Sequence, residues 1–431
     1  MKRYLYKIAG WLLLSAICLS FVSCGEGGDP CDGKVYDSRY IAENCIYLGG
    51  TSGLSSAYFE NPGVRYNECI NPLCDHTEAS GCESFMDGVG CAVLVDSDGD
   101  GFPLIYMAGR RQKNIYSDGD ISHNPDYELY RIKVYDTKTG KGREICEIEF
   151  SGAENMFYCD GKLYISADFD SSGAVRHRVG CVDVATGGWS EVNVGVNARI
   201  IGIWDERVYY ITNRAEVYSI DMELGDSRLE YECGATAIGS SGYFNVYAEV
   251  SDGILYFRAD QRSEHNGEYN VYDVYSVDLA AVVEPLLIAE GVRRSHAYEG
   301  DLYYTLFDYS RDEETLISSA DGGTLYKYSP DTKKSEVVFE DLGYSVDYLY
   351  EIGDGKLLFR GMMYRDVPEE DIEAIRLEYE SMIAEESELN GEDYVPLPFE
   401  EYVDMFDYVY LERTYCIYDL HTDEFNVMID D

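Results

Sequence analysis

The chain has 431 residues and sets 34 Lys and Arg against 81 Asp and Glu, for a formal net charge of −47. An anion of that size repels phosphate, and a duplex binder needs a basic stripe, so nucleic-acid recognition is excluded. With 45% apolar and 14% aromatic residues the chain can bury a large core, and its 41 Tyr against 10 Pro point to a mostly β protein.

The chain opens with Met1-Lys2-Arg3-Tyr4-Leu5-Tyr6-Lys7, three positive charges ahead of an uncharged run from Ile8 to Val22. That is the layout of a secretion signal over residues 1–23, and the apolar run is short of the roughly 20 residues a spanning helix needs. It ends in Phe21-Val22-Ser23-Cys24-Gly25, which resembles the lipobox of bacterial lipoproteins, with Phe21 where Leu is usual. The resemblance implies cleavage before Cys24, lipid on its thiol, and an outward-facing protein anchored in the cell membrane. Residues 24–32 then read as a short flexible tether, and residues 33–431 as the folded domain. Losing the three basic residues of the signal takes the net charge to −50.

Two motifs recur along the domain. The first is Gly-x-[Leu/Ile/Val]-Tyr-[Tyr/Phe/Ile], seen at Gly161 to Ile165, Gly253 to Phe257 and Gly300 to Tyr304. Looser copies centre on Tyr47, Tyr106, Tyr209 and Leu358, and the seven anchors are 59, 58, 45, 47, 47 and 55 residues apart. Such spacing suits propeller blades. The second motif, Tyr-x-[Ile/Val/Tyr]-Asp or a close variant, follows each of them and ends at Asp136, Asp183, Asp221, Asp278, Ser329 and Asp419, with a degenerate first copy at Tyr58-Phe59-Glu60. Each pairing predicts two strands, the second closed by an Asp that caps its own turn.

The fold class expected is therefore all-β, a β-propeller of seven blades near 33–69, 91–150, 153–196, 198–234, 242–291, 294–341 and 345–431. The count falls to six if the first copy only lends strands to the last blade. Together with Cys24, the repeated pairs and the cysteine segment below, the pattern resembles a group of bacterial surface lipoproteins with TolB-like or YncE-like propellers. That resemblance implies fold and address and says little of activity.

Between the first and second blades, residues 69–91 form a cysteine-rich loop holding Cys69, Cys74, His76 and Cys82, with Cys91 at its end. Three thiolates and an imidazole can close a tetrahedral zinc site. The spacing fits no common zinc module, and an extracellular compartment favours disulfides, so metal, disulfide and free thiol all stay open. A similar cysteine stretch occurs in the same lipoprotein group, which implies a shared structural role. Of 13 cysteines, Cys18 lies in the signal and Cys24 takes lipid, leaving 11, an odd number. Cys159, Cys181 and Cys416 fall in predicted strands and read as small core residues.

Asp96, Asp98 and Asp100 alternate ahead of Gly101, as in the first half of a calcium loop. Met107 stands where an EF-hand needs Glu, so that reading fails. The strand-loop-strand setting is similar to the calcium hairpins of integrin-type propellers, with a plain polar hairpin as the alternative. Ser319 to Tyr326 partly matches an Asp-box turn, as a single imperfect copy. His123, His177, His265, His296 and His421 show no metal or nucleophile-base spacing and are assigned surface or loop roles. No Gly-x-Ser-x-Gly elbow, phosphate loop or zinc-protease helix occurs.

The last repeat is interrupted. Residues 366–412 hold 17 acids and one Arg, a local charge of −16. Asp366-Val367-Pro368 starts a helix whose apolar stripe is Ile372, Ile375, Tyr379, Met382 and Ile383, and a second short helix is predicted after Pro398. The insertion reads as a packed helix with its acids outward, either an elaborated loop or a lid over one mouth of the propeller.

The function these features predict is a non-catalytic envelope lipoprotein, monomeric, that binds a protein or glycan through its propeller. An extracellular propeller glycoside hydrolase or lyase is the alternative. Calcium or zinc, if bound, would be structural.

Overall fold

In the computed structural model, the residues described are 45–50, 53–58, 65–69, 82–84, 89–95, 102–110, 129–149, 152–171, 174–195, 197–234, 247–264, 269–281, 284–307, 321–340, 345–351, 356–364, 369–390, 411–419 and 424–430, with single positions near 396–403 and at 422. They form one antiparallel meander after another. The first is three-stranded: β1 (Cys45–Gly50), β2 (Gly53–Tyr58) and β3 (Arg65–Asn67). Four-stranded meanders follow. The second is β4 (Val89–Val95), β5 (Leu104–Arg110), β6 (Leu129–Asp136) and β7 (Lys141–Glu149), and the third is β8 (Gly152–Cys159), β9 (Lys162–Ser171), β10 (Ala174–Asp183) and β11 (Trp189–Asn193). The fourth is β12 (Ala198–Trp204), β13 (Arg207–Thr212), β14 (Glu216–Asp221) and β15 (Ser227–Glu232).

A seven-stranded sheet comes next, of β16 (Ala248–Ser251), β17 (Ile254–Glu264), β18 (Tyr269–Asp278), β19 (Leu286–Tyr298), β20 (Asp301–Phe307), β21 (Asp321–Ser329) and β22 (Lys334–Phe339). It is two meanders sharing one long strand: Leu286 to Val292 of β19 pair with β18, and Val292 to Tyr298 pair with β20. The chain ends with β23 (Ser345–Glu351), β24 (Lys356–Tyr364), β25 (Leu411–Asp419) and β26 (Glu424–Asp430). The fold is all-β of the β-propeller class, and the described meanders are numbered as blades in chain order. Among the described residues β1–β3 form a sheet of their own and share no ladder with β23–β26.

The repeated motifs set the register. The residue after the first-motif turn position faces the second-motif Asp across the ladder in five blades: Leu104 with Asp136, Lys162 with Asp183, Arg207 with Asp221, Ile254 with Asp278 and Lys356 with Asp419. The turn before the motif is left-handed at both central residues, Asp160-Gly161 (φ 49 and 73), Asp252-Gly253 (46 and 76) and Glu299-Gly300 (45 and 79). This is the type I′ hairpin that matches strand twist. Fixed turn length and fixed strand alternation together prevent a one-residue slip, which would turn every core side chain outward.

At the other end of the pair the Asp carboxylates do what the sequence predicts. Asp183 accepts from the Thr186 N–H at 2.7 Å and its hydroxyl at 2.8 Å, Asp136 from the Lys138 and Thr139 N–H groups, and Asp278 from those of Ala280 and Ala281. Asp221 gathers three N–H groups, from Glu223, Gly225 and Asp226. Ser319–Tyr326, the Asp-box candidate, is no turn at Asp321, which begins β21 and pairs with Phe307.

Two compact units divide the chain. One carries β4 to β11; the other carries β1–β3 and the strands after the break at Ile200–Ile201 inside β12. In the first, Val93, Tyr106, Ile132 and Val134 pack on Met156, Tyr158, Leu163 and Val182, with Tyr106 and Tyr158 stacked at 5.2 Å between ring centres. In the second, apolar faces join successive blades through Ile211, Val217, Val250 and Leu255, through Tyr256, Val292, Leu302 and Tyr328, and through Tyr303, Leu349, Phe359 and Tyr418. Much of the Tyr content is consumed here. The Tyr256 hydroxyl donates to the Gly300 carbonyl of the next blade, and the Gly300 N–H donates to Ser251 Oγ at 2.9 Å.

Between β24 and β25 lies α1 (Glu369–Asn390). Ile375 is buried and Ile372, Tyr379, Met382 and Ile383 are half-buried, while the intervening Glu373, Glu378 and Glu380 are exposed. Past Pro398 the Tyr402 N–H closes a helical turn on the Pro398 carbonyl, and Phe399 and Tyr402 pack on Tyr379 at 5.3 and 4.8 Å. Among the described residues no helix is long and apolar enough to cross a membrane.

Candidate ligand-binding site

The sequence candidates fall mostly elsewhere. Cys24, Cys74, His76, Asp96, Asp98 and Asp100 lie outside the described residues. The strands on either side of Asp96 to Asp100, β4 and β5, pair antiparallel. Cys69 is half-buried after β3 and Cys82 is buried. The end of the cysteine loop docks on β6 and β7: the Gly142 N–H donates to Glu83 Oε2 at 3.1 Å and Lys133 Nζ to the Cys82 carbonyl at 3.4 Å. Gly142 permits this approach, since a Cβ there would meet the Glu83 carbonyl oxygen at 2.2 Å. Cys91 is in the core of the first unit, and burial pushes its thiol up to about 12. Cys159, Cys181 and Cys416 are buried, as core residues should be.

The described side chains bring together a different set, in the second unit. Tyr247 precedes β16 and Glu249 sits on it, Arg258 is on β17, and Ser295 and His296 are on the second half of β19. Glu249 Oε1 lies 3.2 Å from His296 Nδ1 and also accepts from the Tyr247 hydroxyl, while Oε2 accepts from the Ala297 N–H. The Tyr247 hydroxyl reaches the Ser295 carbonyl at 2.7 Å. Arg258 lies over the Tyr247 ring at 3.7 Å and 5.5 Å from the centre of Tyr272; its Nε and Nη2 donate to Ser295 Oγ at 3.1 and 3.0 Å, and Nη2 also to the Ser295 carbonyl at 3.2 Å.

The electrostatics follow from burial. Desolvation would raise the Glu249 carboxyl, but the His296 charge and the hydrogen bonds from His296, Tyr247 and Ala297 outweigh it, and Glu249 is held below its ordinary 4.5. Burial lowers Arg258, opposed by Tyr247 and Glu249 and aided by Arg294. Arg does not lose its proton in proteins, so the lowering records a charge kept at a cost in a partly dry place.

His296 corrects the sequence reading, which assigned it to the surface or a loop: it is buried, 8% exposed. A signal for it was available in the repeat. Glu249 and His296 each stand four residues ahead of a motif glycine, Gly253 and Gly300, and face the motif tyrosines Tyr256 and Tyr303. Two equivalent positions in successive blades therefore carry opposite ionisable types.

No family model matches the chain, and no curated protein resembles it in sequence. Several solved structures resemble it. The β-propeller domain of the Trilobed protease from Pyrococcus furiosus is 13% identical over 76% of this chain and 90% of that one, with a TM-score of 0.42. The tricorn protease is 13% identical, covering 91% of this chain, with a TM-score of 0.37, and Pyrococcus horikoshii acylaminoacyl peptidase is 12% identical over 75%, with a TM-score of 0.41. The match spans less than half the length of those two proteins, 43% and 49%.

Proposed function

We propose that the chain is a non-catalytic cell-envelope lipoprotein, secreted by residues 1–23 and tethered through lipid on Cys24, whose propeller binds a glycan or protein with Tyr247, Glu249, Arg258, Ser295 and His296. One observation carries the preference for binding over turnover. The cluster joins ionisable groups without the pairings that bond-breaking needs. The Ser295 hydroxyl is taken up by Arg258 rather than by an imidazole, so no base activates it. A glycosidase acid must stay protonated near neutral pH, whereas Glu249 is held as a carboxylate. What remains is a set of donors, acceptors and Tyr rings, the inventory of a recognition surface.

The test is a glycan and peptide array on the secreted protein, followed by turnover assays on every hit. Binding without product formation is the expected result. Sustained product formation that Glu249→Gln abolishes overturns the reading. Mass spectrometry of the N-terminal peptide checks the address: a diacylglyceryl-modified Cys24 is expected, and an unmodified Cys24 in the membrane-free fraction sinks that part. Metal analysis with thiol counting settles the Cys69–Cys82 segment.

A further inference from the structure

Arg258 is a half-buried arginine with no carboxylate partner among the described residues, a lack it shares with the exposed Arg143 and Arg214. Arg131, Arg178, Arg207, Arg228 and Arg376 each reach a carboxylate, in Glu144, Glu191, Asp226, Glu230 and Glu373. Arg258 reaches none among the described residues, in a chain with 81 acids to choose from. Its donors on one side are held by Ser295, its face by Tyr247, and its Nη1 bonds to no described group. The residue is nonetheless only partly exposed. Glu249 is near enough to favour its charge, yet spends its oxygens on His296, Tyr247 and Ala297. Arg294 adds a second positive charge to the neighbourhood.

A guanidinium fixed on one edge, stacked on an aromatic ring and left without a counter-ion is preorganised to receive an oxyanion on the other edge. Its locally positive setting on a strongly negative protein selects for an anion that the rest of the surface repels. Acceptors and a Tyr hydroxyl stand beside the cation, which suits a ligand carrying hydroxyls next to its charge. Resting on the binding reading above, we propose that Arg258 anchors the carboxylate of an acidic sugar, of the uronate or sialate class, with Tyr247 and Tyr272 flanking it and Glu249 Oε2, which among the described residues takes only the Ala297 N–H, beside it to accept a hydroxyl.

The experiment titrates the intact secreted protein with trigalacturonate, N-acetylneuraminate and a glucuronate disaccharide. Methyl-esterified trigalacturonate and an acidic hexapeptide serve as comparison ligands. At least one acidic sugar should bind, its ester at least tenfold more weakly. Arg258→Lys should weaken the acid at least tenfold and leave any binding of the ester unchanged. Should the Lys variant not fold, phenylglyoxal labelling of the unaltered protein gives the same answer, because the bound sugar should protect Arg258 in the peptide mass spectrum. Equal binding of acid and ester, an indifferent Lys variant, unprotected Arg258, or Arg258-dependent binding of the hexapeptide but no sugar each overturns the assignment. So does failure of all three acidic sugars at millimolar concentration. Neutral glycans or proteins that bind regardless of Arg258 would remove this inference and leave the binding module standing; an array with no hits removes both.

Discussion

Blade three and the pair of blades five and six use one position of the repeat in opposite ways. Four residues before the motif glycine, blade three has Phe157, facing Tyr164, where blades five and six have Glu249, facing Tyr256, and His296, facing Tyr303. Phe157 is buried in the sheet that contributes Met156 and Tyr158 to an apolar core. Glu249 and His296 meet each other across the blade junction at 3.2 Å. The backbone plan is the same, so apolar packing satisfies it, and the Glu249–His296 contact is an addition the fold does not demand. Buried ion pairs are commonly no more stabilising than apolar replacements of like volume, which turns attention from stability to recognition.

Breaking the pair from one side should have the largest effect. Glu249→Ala leaves His296 Nδ1, the Tyr247 hydroxyl and the Ala297 N–H without their acceptor, and should cost about 3 kcal/mol or more in urea unfolding. Phe157→Ala should cost a comparable amount, about 3–5 kcal/mol, by a different route, the cavity it leaves. The two regions separate on the double substitution Glu249→Leu with His296→Phe, which imports the chemistry of blade three. It should recover most of the single-variant loss, to within about 1–2 kcal/mol of the parent, while abolishing ligand binding. A double variant as unstable as Glu249→Ala would make the pair a structural necessity and erase the contrast.

The next effect concerns a feature the blades share. Gly253 has φ +76, and a Cβ built on it would lie 2.6 Å from the Trp204 ring. Gly253→Ala therefore combines a left-handed backbone with a clash, and should cost about 2 kcal/mol or more in the same assay. Gly161 has φ +73 and open space around its Cβ position. Gly161→Ala should cost only the backbone part, about 1 kcal/mol. Equal losses at the two sites would mean that Trp204 moves aside freely.

The hairpins were legible because their chemistry is local. A glycine at a left-handed turn, a Tyr three residues on and an Asp capping the next turn are each determined within a few residues, and their spacing gave the meanders and the strand pairing. The amphipathic stripe of α1 was legible for the same reason. The long β19 was not: Leu286 to Gly291 read as the end of one blade and Arg294 to Tyr298 as the start of another, and nothing in Glu290-Gly291-Val292 announces that the strand continues through both. The site was hidden by distance. Glu249 and His296 are 47 residues apart, and only the repeat alignment relates them. Cys69, Cys82 and the alternating aspartates attracted the sequence reading because metal and disulfide chemistry has short-range spacing rules, whereas a carboxylate, an imidazole and a guanidinium on three strands have none.

Repeat alignment also exposes a smaller defect. Where blades three, five and six place Gly161, Gly253 and Gly300, blade four places Glu206, at φ +56 in the Asp205-Glu206 turn. Its side chain is exposed, so the left-handed backbone is not repaid by packing. Glu206→Gly should stabilise the protein by about 1 kcal/mol, read as a higher urea midpoint. Lower stability would show that blade four does not share the turn energetics of its neighbours.

The smallest effect is in acid and tests whether the ion pair or the repeated turns govern that limb. The Asp183 carboxyl is held below its ordinary 3.8 by the Thr186 hydroxyl and N–H, and Glu249 lies below 4.5 because His296 and its hydrogen-bond donors outweigh burial. A carboxyl depressed in the folded state contributes stability that is full above its unfolded pKa and is lost as pH falls through its folded one. Both groups therefore weaken the fold only below about pH 4–4.5 and contribute fully at neutral pH. Asp183→Asn, exposed and screened, should flatten the acid limb slightly with little change at pH 7. The Glu249→Leu, His296→Phe pair should flatten it more, because its half-buried carboxylate is held by more partners than the solvent-screened one of Asp183. If Asp183→Asn removed the larger share, the acid sensitivity would belong to the repeated turns, and the blade five–six junction would be no more ionic in its energetics than the apolar blade it departs from.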